Sequence, residues 1–259
     1  MSEKKGIVVN GLILRIADCR ENDRMLTVLT DELGKISVLA KGIKSLRNKN
    51  RSACQMFTYS ELILNERDGF YTLSEAAINR SFASLSEDIE ASALACYVSE
   101  AVDFVCMDGV PEEEILRLAL NVLYMLSEKK TDFYLIKTVF ELRLALCLGI
   151  LPDFSCCTVC GKRPDTLYFS ETGESVLCLD CLSQTSNEST VCLTGTSLDF
   201  LRYEAACPQK KIFSFACEPG DEVGRLSEKH LTYSLSRRFR TLDFYYEITK
   251  LGKSIAEKK

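Results

Sequence analysis

The stretch that decides the N-terminal fold is RMLTVLTDELGKISVLAKG, residues 24–42. Two runs of apolar and β-branched residues, RMLTVLT and ISVLA, flank the turn residues DELGK. Such runs on either side of a turn signal predict two short strands. The stretch therefore indicates that the chain opens with a β domain.

Three more runs in the first 80 residues have the same character. GIVVNGLILRI (6–16) precedes the stretch, and FTYSELILNE (57–66) and FYTLSEA (70–76) follow it, joined by the turn Arg67-Asp68-Gly69. About five short strands with turns between them favour a small barrel or a strongly bent sheet.

After Arg80 the pattern becomes helical. Ser84-Leu85-Ser86-Glu87 has the form of a capping box, which predicts a helix running to about Met107. Two more helices follow at 111–130 and 131–149, and Thr131 is the predicted cap of the second. Further helical pattern occupies 196–207 and 226–251. Amphipathic helices in series indicate a helical domain.

A cysteine-rich segment, CCTVCGKRPDTLYFSETGESVLCLDC, interrupts the helices at residues 156–181. Two Cys-x-x-Cys pairs are separated by 17 residues, a spacing typical of structural zinc sites. Four thiolates suit tetrahedral zinc and leave no position open for catalysis, so we predict one structural zinc ion. A redox pair or four unligated thiols are the alternatives. The predicted ligands are Cys157, Cys160, Cys178 and Cys181.

Two neighbours of these cysteines have their own predictions. Cys156 lies outside the regular spacing and is interpreted as a bystander. Gly161 directly follows the first pair, where a positive φ is often needed.

The predicted fold is thus an α+β multidomain protein. An N-terminal β-barrel occupies residues 1–80. If it is an OB-fold, its loops and the adjacent sheet face form the usual oligonucleotide site. An all-α helical domain comprises 81–153 and 185–259. The four-cysteine zinc module, 154–184, is inserted in that helical domain.

Charge is unevenly distributed along the chain. Residues 1–60 carry eleven Lys/Arg against six Asp/Glu, whereas 82–150 carry five against twelve. No acid lies between Gly34 and Ser60, and a loop that can pair with phosphates is predicted there. The predicted nucleic-acid contacts are Lys35, Lys41, Lys44, Arg47, Lys49 and Arg51. The alternative is a merely solvated loop.

Two further sets of residues leave their role open. Phe57, Tyr59, Phe70 and Tyr71 either offer bases a stacking surface or belong to the core. Arg237, Arg238 and Arg240 either extend a nucleic-acid track or pair with the acidic middle helices.

Several function classes lack support in the sequence. The N-terminus does not have the form of a signal peptide, and no apolar run approaches the length of a membrane span, so a cytoplasmic protein without a membrane partner is expected. No phosphate-binding loop, nucleophile elbow or zinc-protease motif occurs. The single histidine, His230, has no catalytic partners in sequence and is predicted to be structural. We expect the protein not to be an enzyme.

Three stretches together carry a family resemblance: RENDRMLTVLTDELGKISVLAKGIKS, VFELRLALCLGILPDFSCCTVCG and YFSETGESVLCLDC. Through them the chain resembles the RecO family of bacterial DNA repair and recombination mediators. It implies an OB-fold, a helical domain and a four-cysteine zinc module. It also implies that the four cysteines are the zinc ligands and that Lys41 contacts DNA.

The resemblance further implies a non-enzymatic function. Members of the family bind single- and double-stranded DNA and anneal complementary strands. They act with RecR and the single-stranded DNA-binding protein, SSB, to load RecA onto covered DNA. The tail of SSB is acidic with an apolar end, and such a tail needs an apolar groove edged with cations. The helical cations available for this in the sequence are Lys129, Lys130, Lys137 and Arg143. The alternative functions are a zinc-ribbon protein-interaction scaffold and a metal-dependent nuclease.

Overall fold

The computed structural model describes residues 6–170, 175–184 and 189–256, with side chains to Lys250. Within these ranges the chain forms two compact units. One contains the residues up to Lys129 together with those from Phe239 onwards, and the other contains Lys130–Arg238. The boundaries of the three domains expected from the sequence stay a prediction.

The first unit begins with a closed five-stranded barrel, as predicted. Its strands are β1 (Ile7–Asp18), β2 (Arg24–Thr30), β3 (Lys35–Ala40), β4 (Thr58–Arg67) and β5 (Phe70–Ser81). They follow the order β1-β2-β3-β5-β4, and β1 pairs with both β2 and β4. A short parallel pairing of β3 with β5 closes the barrel. This is the topology of an OB-fold.

Alternating apolar residues fill the barrel interior. In β3, Ile36, Val38 and Ala40 point inward, as a strand with one buried face requires. They meet Val28 and Leu62 in one cluster. Complete burial of one valine, leucine or isoleucine side chain stabilises the fold by roughly 1.5–3 kcal/mol.

Two tight turns set the strand register. Gly34 ends the β2–β3 turn at a φ of +65° and accepts hydrogen bonds at its carbonyl from the amide and hydroxyl of Thr30. Asp68 and Gly69 both have positive φ, as a two-residue hairpin between β4 and β5 requires. The turn predicted at Arg67-Asp68-Gly69 is confirmed.

The helices of the first unit are α1 (Ile89–Val105), α2 (Glu113–Glu128) and α7 (Arg240–Ala256). The capping box predicted at Ser84–Glu87 is wrong. That segment is a 3₁₀ turn, and Asp88 caps α1 by accepting hydrogen bonds from the amides of Glu90 and Ala91. The Asp88 carboxylate satisfies two free N–H groups of the first turn, so the helix starts later than predicted.

The second unit packs helices beside a small sheet. Its elements are α3 (Phe133–Cys147), β6 (Thr166–Ser170), β7 (Val176–Leu177), α4 (Leu179–Leu182), β8 (Thr190–Thr194), α5 (Gly195–Ala206) and α6 (Asp221–Ser234). Asp132 caps α3 instead of the predicted Thr131, because its carboxylate accepts the amide of Leu135. The sheet has the order β7-β6-β8 and so extends to Thr194.

Candidate nucleic-acid interface and metal centre

The basic segment between β3 and β4 is held in shape by side chains of its own. The Asn48 amide donates to the carbonyls of Lys41 and Gly42, and the Asn48 oxygen accepts the amide of Asn50. Asn50 is buried and bonds the backbone of β5 at Ser74 and Ala76. The segment therefore presents its cations from an ordered frame beside β5.

Three of the six predicted DNA-contact residues have acidic partners within the same unit. Lys35 is mostly buried and pairs with Asp103 and Asp108 at 3.3 and 3.5 Å. Lys44 pairs with Asp18 at 3.1 Å, and its hydrogen bond lowers the pKa of Asp18. The third pair joins Lys49 to Glu75 at 2.7 Å.

The other three have no ion pair within the part of the chain that the structure describes. Lys41 and Arg47 are exposed, and Arg51 is half-buried beside them. A cation without a carboxylate partner does not have to give one up to bind a phosphate. We therefore expect Lys41, Arg47 and Arg51 to bind phosphate more readily than the three paired lysines.

The aromatic residues are divided between core and surface. Phe57 is buried and Tyr71 packs on the barrel core. Tyr59 is half-buried, whereas Phe70 is 77% exposed at the β4–β5 turn. Of the four, Phe70 offers the most accessible ring.

Arg80 is a surface cation that the sequence did not single out. Its guanidinium lies 4.4 Å from the ring centre of Tyr124 and 5.5 Å from that of Phe82. Such stacking orients a guanidinium and leaves its N–H groups able to bind an anion. No local sequence signal could show it, because Tyr124 is far along the chain on α2.

The structure brings the four predicted zinc ligands together. The sulfur atoms of Cys157, Cys160, Cys178 and Cys181 all lie within 4.8 Å of one another. Zinc–sulfur bonds of about 2.3 Å in a tetrahedron place sulfurs about 3.8 Å apart. The observed 3.6 Å between Cys160 and Cys178 is close to this value.

Backbone hydrogen bonds build the two cysteine turns. The amide of Gly161 donates to Cys157 at 2.9 Å, and Gly161 has a φ of +72°, as predicted. Thr158 donates from its amide and its hydroxyl to the carbonyl of Val176, which ties the first turn to β7. An ion pair of 2.7 Å between Lys162 and Asp180 joins the two turns at the surface.

The four thiols change one another's pKa because they lie in contact. Burial opposes ionisation of Cys157, but amide donors led by Cys160 and Cys178 lower the pKa of its thiol to about 6. Hydrogen bonding to Cys160, with burial, raises the pKa of Cys181 to about 12. A metal ion would compensate the charge of four adjacent thiolates, so this donor set fits a zinc ion.

The cysteine module is anchored by Phe154, Phe169 and Arg202. The ring of Phe169 contacts Phe154 and His230, each at 5.8 Å between ring centres. Arg202 of α5 donates to the carbonyl of Phe154 at 3.0 Å. His230 is buried and its Nε2 lies 2.8 Å from the Ile150 carbonyl. Burial lowers its pKa, which favours the neutral ring of a structural histidine.

Two of the four helical cations considered for an acidic protein tail are not accessible. The Lys137 side chain is fully buried and pairs with Glu141 and Glu228 at 3.0 and 2.8 Å. Arg143 is 7% exposed and donates to the carbonyl of Cys207 at 3.1 Å. In contrast, Arg237, Arg238 and Arg240 are exposed.

No helix within the described ranges is long and apolar enough to cross a membrane. The class of protein that these features define is a barrel protein with a helical part that carries a four-cysteine centre.

The family profile of the recombination protein O N-terminal domain matches residues 3–82, and that of its C-terminal domain matches 86–243. The DNA repair protein RecO of Acetivibrio thermocellus is 29% identical over 93% of this chain and 97% of its own length. The RecO protein of Caldicellulosiruptor saccharolyticus is 30% identical over 71% of this chain and 75% of its own. That of Clostridium novyi is 27% identical over 90% and 91%. The chain belongs to the RecO family of DNA repair and recombination proteins.

Proposed function

We propose that the chain is a DNA-binding recombination mediator. It binds single- and double-stranded DNA, anneals complementary strands and acts with RecR to load RecA onto strands covered by SSB. It does so without catalysing a reaction, in the bacterial cytoplasm. Membership of a DNA repair family supports this proposal, and the mediator steps are what the resemblance implies.

The observation that carries the proposal is a set of cations on an OB-fold barrel that have no ion pair within the described residues. Lys41, Arg47 and Arg51 lie on one ordered segment next to β5. OB-folds bind nucleic acid through such segments and the adjacent sheet. Two strands neutralised on one surface can approach each other, which is what annealing requires. Lys35, Lys44 and Lys49 contribute less, because each must break its ion pair with a carboxylate before it binds a phosphate.

We also propose one structural zinc ion held by Cys157, Cys160, Cys178 and Cys181. Zinc supplies folding energy by joining two turns that have little core of their own. The proximity of the four sulfurs and the all-thiol donor set support the assignment.

An experiment on strand annealing tests the mediator function. Two complementary DNA strands, each covered with SSB from the same bacterium, are mixed with and without the protein over a series of salt concentrations. We expect faster annealing that weakens as salt rises, because phosphate contacts release counterions. No acceleration at any salt by folded, zinc-loaded protein would contradict the proposal.

A protein-interaction scaffold is the second candidate function, and one observation favours it. Val159 and Leu179 are 68% and 63% exposed, one on each cysteine turn. Exposed apolar side chains on a rigid centre are available for a contact with another protein. The scaffold alone predicts no DNA binding in the annealing experiment.

A further inference from the structure

A groove runs along the barrel surface between the basic segment and β5. Its volume is about 460 Å³, within the range of small-molecule sites. Leu46, Arg51, Gln55 and Ile78 are among the residues that line it. The cysteine centre belongs to the other unit and has no part in this groove.

Two apolar side chains flank the groove and face solvent. Leu46 is 85% exposed and Ile78 is 47% exposed. Leu46 sits among the cations of the basic segment, where a solvated loop would be expected to carry a polar residue. Apolar groups on the border of a concave surface offer a contact for the apolar face of a ligand.

The charges at the groove select an anionic ligand. Arg51 lines it, Arg47 adjoins Leu46, and no acidic side chain is among the lining residues. Neither arginine has an ion pair in the described ranges. A ligand with an apolar face and a negative group nearby therefore complements the site.

Hydrogen bonds hold the groove in shape before a ligand arrives. The Gln55 side-chain amide donates to the Arg51 carbonyl at 2.6 Å, which leaves its oxygen as an acceptor at the groove. The Asn48 amide fixes the turn that carries Leu46 through the carbonyls of Lys41 and Gly42. A ligand would therefore lose little affinity to ordering of this segment.

We propose that this groove binds one unpaired nucleobase of a single DNA strand. The base lies against Leu46 and Ile78, the Gln55 oxygen accepts a hydrogen bond from the base edge, and Arg51 binds the adjacent phosphate. The inference rests on the proposed DNA binding and adds a means of preferring single strands. A base in a duplex is stacked between its neighbours and cannot enter.

The experiment compares three DNA ligands by fluorescence anisotropy with the full-length protein. They are a single strand with all its bases, an abasic strand of the same length, and a duplex. We expect the strand with bases to bind about tenfold more tightly than the abasic strand, which corresponds to about 1.4 kcal/mol of apolar contact between a base and the groove.

The double variant Leu46→Ser/Ile78→Ser should lose this tenfold difference and keep its duplex affinity. Val8→Ser is the matched control, because Val8 is 50% exposed on the barrel and does not line the groove. We expect the control to behave like the wild type.

The outcomes separate the groove from the general DNA-binding proposal. If the wild type binds no DNA, the proposed function fails and the groove assignment with it. If the wild type binds DNA but the double variant retains the full preference for bases, only the groove assignment fails. Displacement of the strand by an acidic, apolar-ended peptide from the wild type but not from the double variant, with base preference unchanged, would assign the groove to a protein partner instead.

Discussion

The ammonium group of Lys35 lies 3.3 Å from the carboxylate of Asp103 and donates a hydrogen bond to the Asp103 carbonyl at 2.6 Å. This contact joins the start of β3 to α1, 68 residues later in the chain. Arg15 of β1 pairs with the same carboxylate at 3.4 Å. A lysine that belongs to the basic stretch of the sequence thus connects the barrel to a helix of the same unit.

Substitution of Lys35 by Met should lower stability and change the salt dependence of DNA binding only slightly. The variant removes a charged hydrogen bond from a side chain that is only 15% exposed, which costs about 1.5–3 kcal/mol. Urea unfolding measures the loss, and anisotropy over a salt series measures the slope. A reduced slope with unchanged stability would instead assign Lys35 to DNA.

The double variant Lys41→Glu/Arg47→Glu should weaken the salt dependence of DNA binding and leave the stability of the fold unchanged. Each lost phosphate contact lowers the slope of log affinity against log salt by about 0.7–0.9, so we expect a decrease of roughly 1.4–1.8. Lys49→Glu is the comparison variant, and it should reduce the slope by less than either single substitution, since Lys49 is already paired with Glu75. Wild-type affinity and slope in the folded double variant would refute the assignment of the basic segment.

Substitution of Cys178 by Ser should reduce bound zinc and stability together. It removes one of four thiolates from the centre, and a serine hydroxyl is a poor zinc ligand. Cys156→Ser is the control, because the Cys156 sulfur lies outside the four-sulfur group and 3.8 Å from the Asp153 carboxylate. Elemental analysis should show one zinc per chain in the control. Full occupancy in Cys178→Ser would exclude Cys178 as a ligand.

Stability should fall as pH rises because of Glu204. Its buried carboxylate oxygens have no hydrogen-bond partner in the described structure, and burial raises its pKa from 4.5 to about 8. Between these values the folded state holds a proton that the unfolded state releases, so unfolding becomes easier as pH increases, by up to about 1.4 kcal/mol per pH unit.

The variant Glu204→Gln removes this proton uptake. We expect it to unfold at higher temperature than the wild type at pH 8 and at a similar temperature at pH 5. Glu32→Gln, an exposed acid on the barrel, serves as the control. If Glu204→Gln changes the unfolding temperature by the same amount at both pH values, Glu204 is ionised in the folded protein.

Substitution of Lys137 by Met should lower the free energy of unfolding by about 3–5 kcal/mol. It leaves the buried Glu141 beside Glu228 without its cation. Burial raises the pKa of Glu141, and Lys137 opposes that effect. The double variant Lys137→Met/Glu141→Met should be less destabilised than Lys137→Met alone in urea unfolding. Additive losses would show that the two residues do not act as a pair.

Much of the barrel and the cysteine centre could be predicted from local sequence. Alternating apolar residues in ISVLA, the Asp68-Gly69 turn and the spacing of the cysteines each specify geometry over a few residues. Helix starts were less predictable. Asp88 and Asp132 cap their helices where Ser84 and Thr131 were expected, because several polar residues competed for each position.

The sequence by itself determined the strands, the four thiols and the excess of cations near β3. Only the tertiary structure decided which cations are free. Lys35 meets Asp103, and Lys137 meets Glu228, across separations that no periodic pattern encodes. Lys41, Arg47 and Arg51 meet no acid in the described residues. Periodicity and spacing record local backbone geometry, whereas charge pairing depends on which distant side chains the packed core brings within a few ångströms.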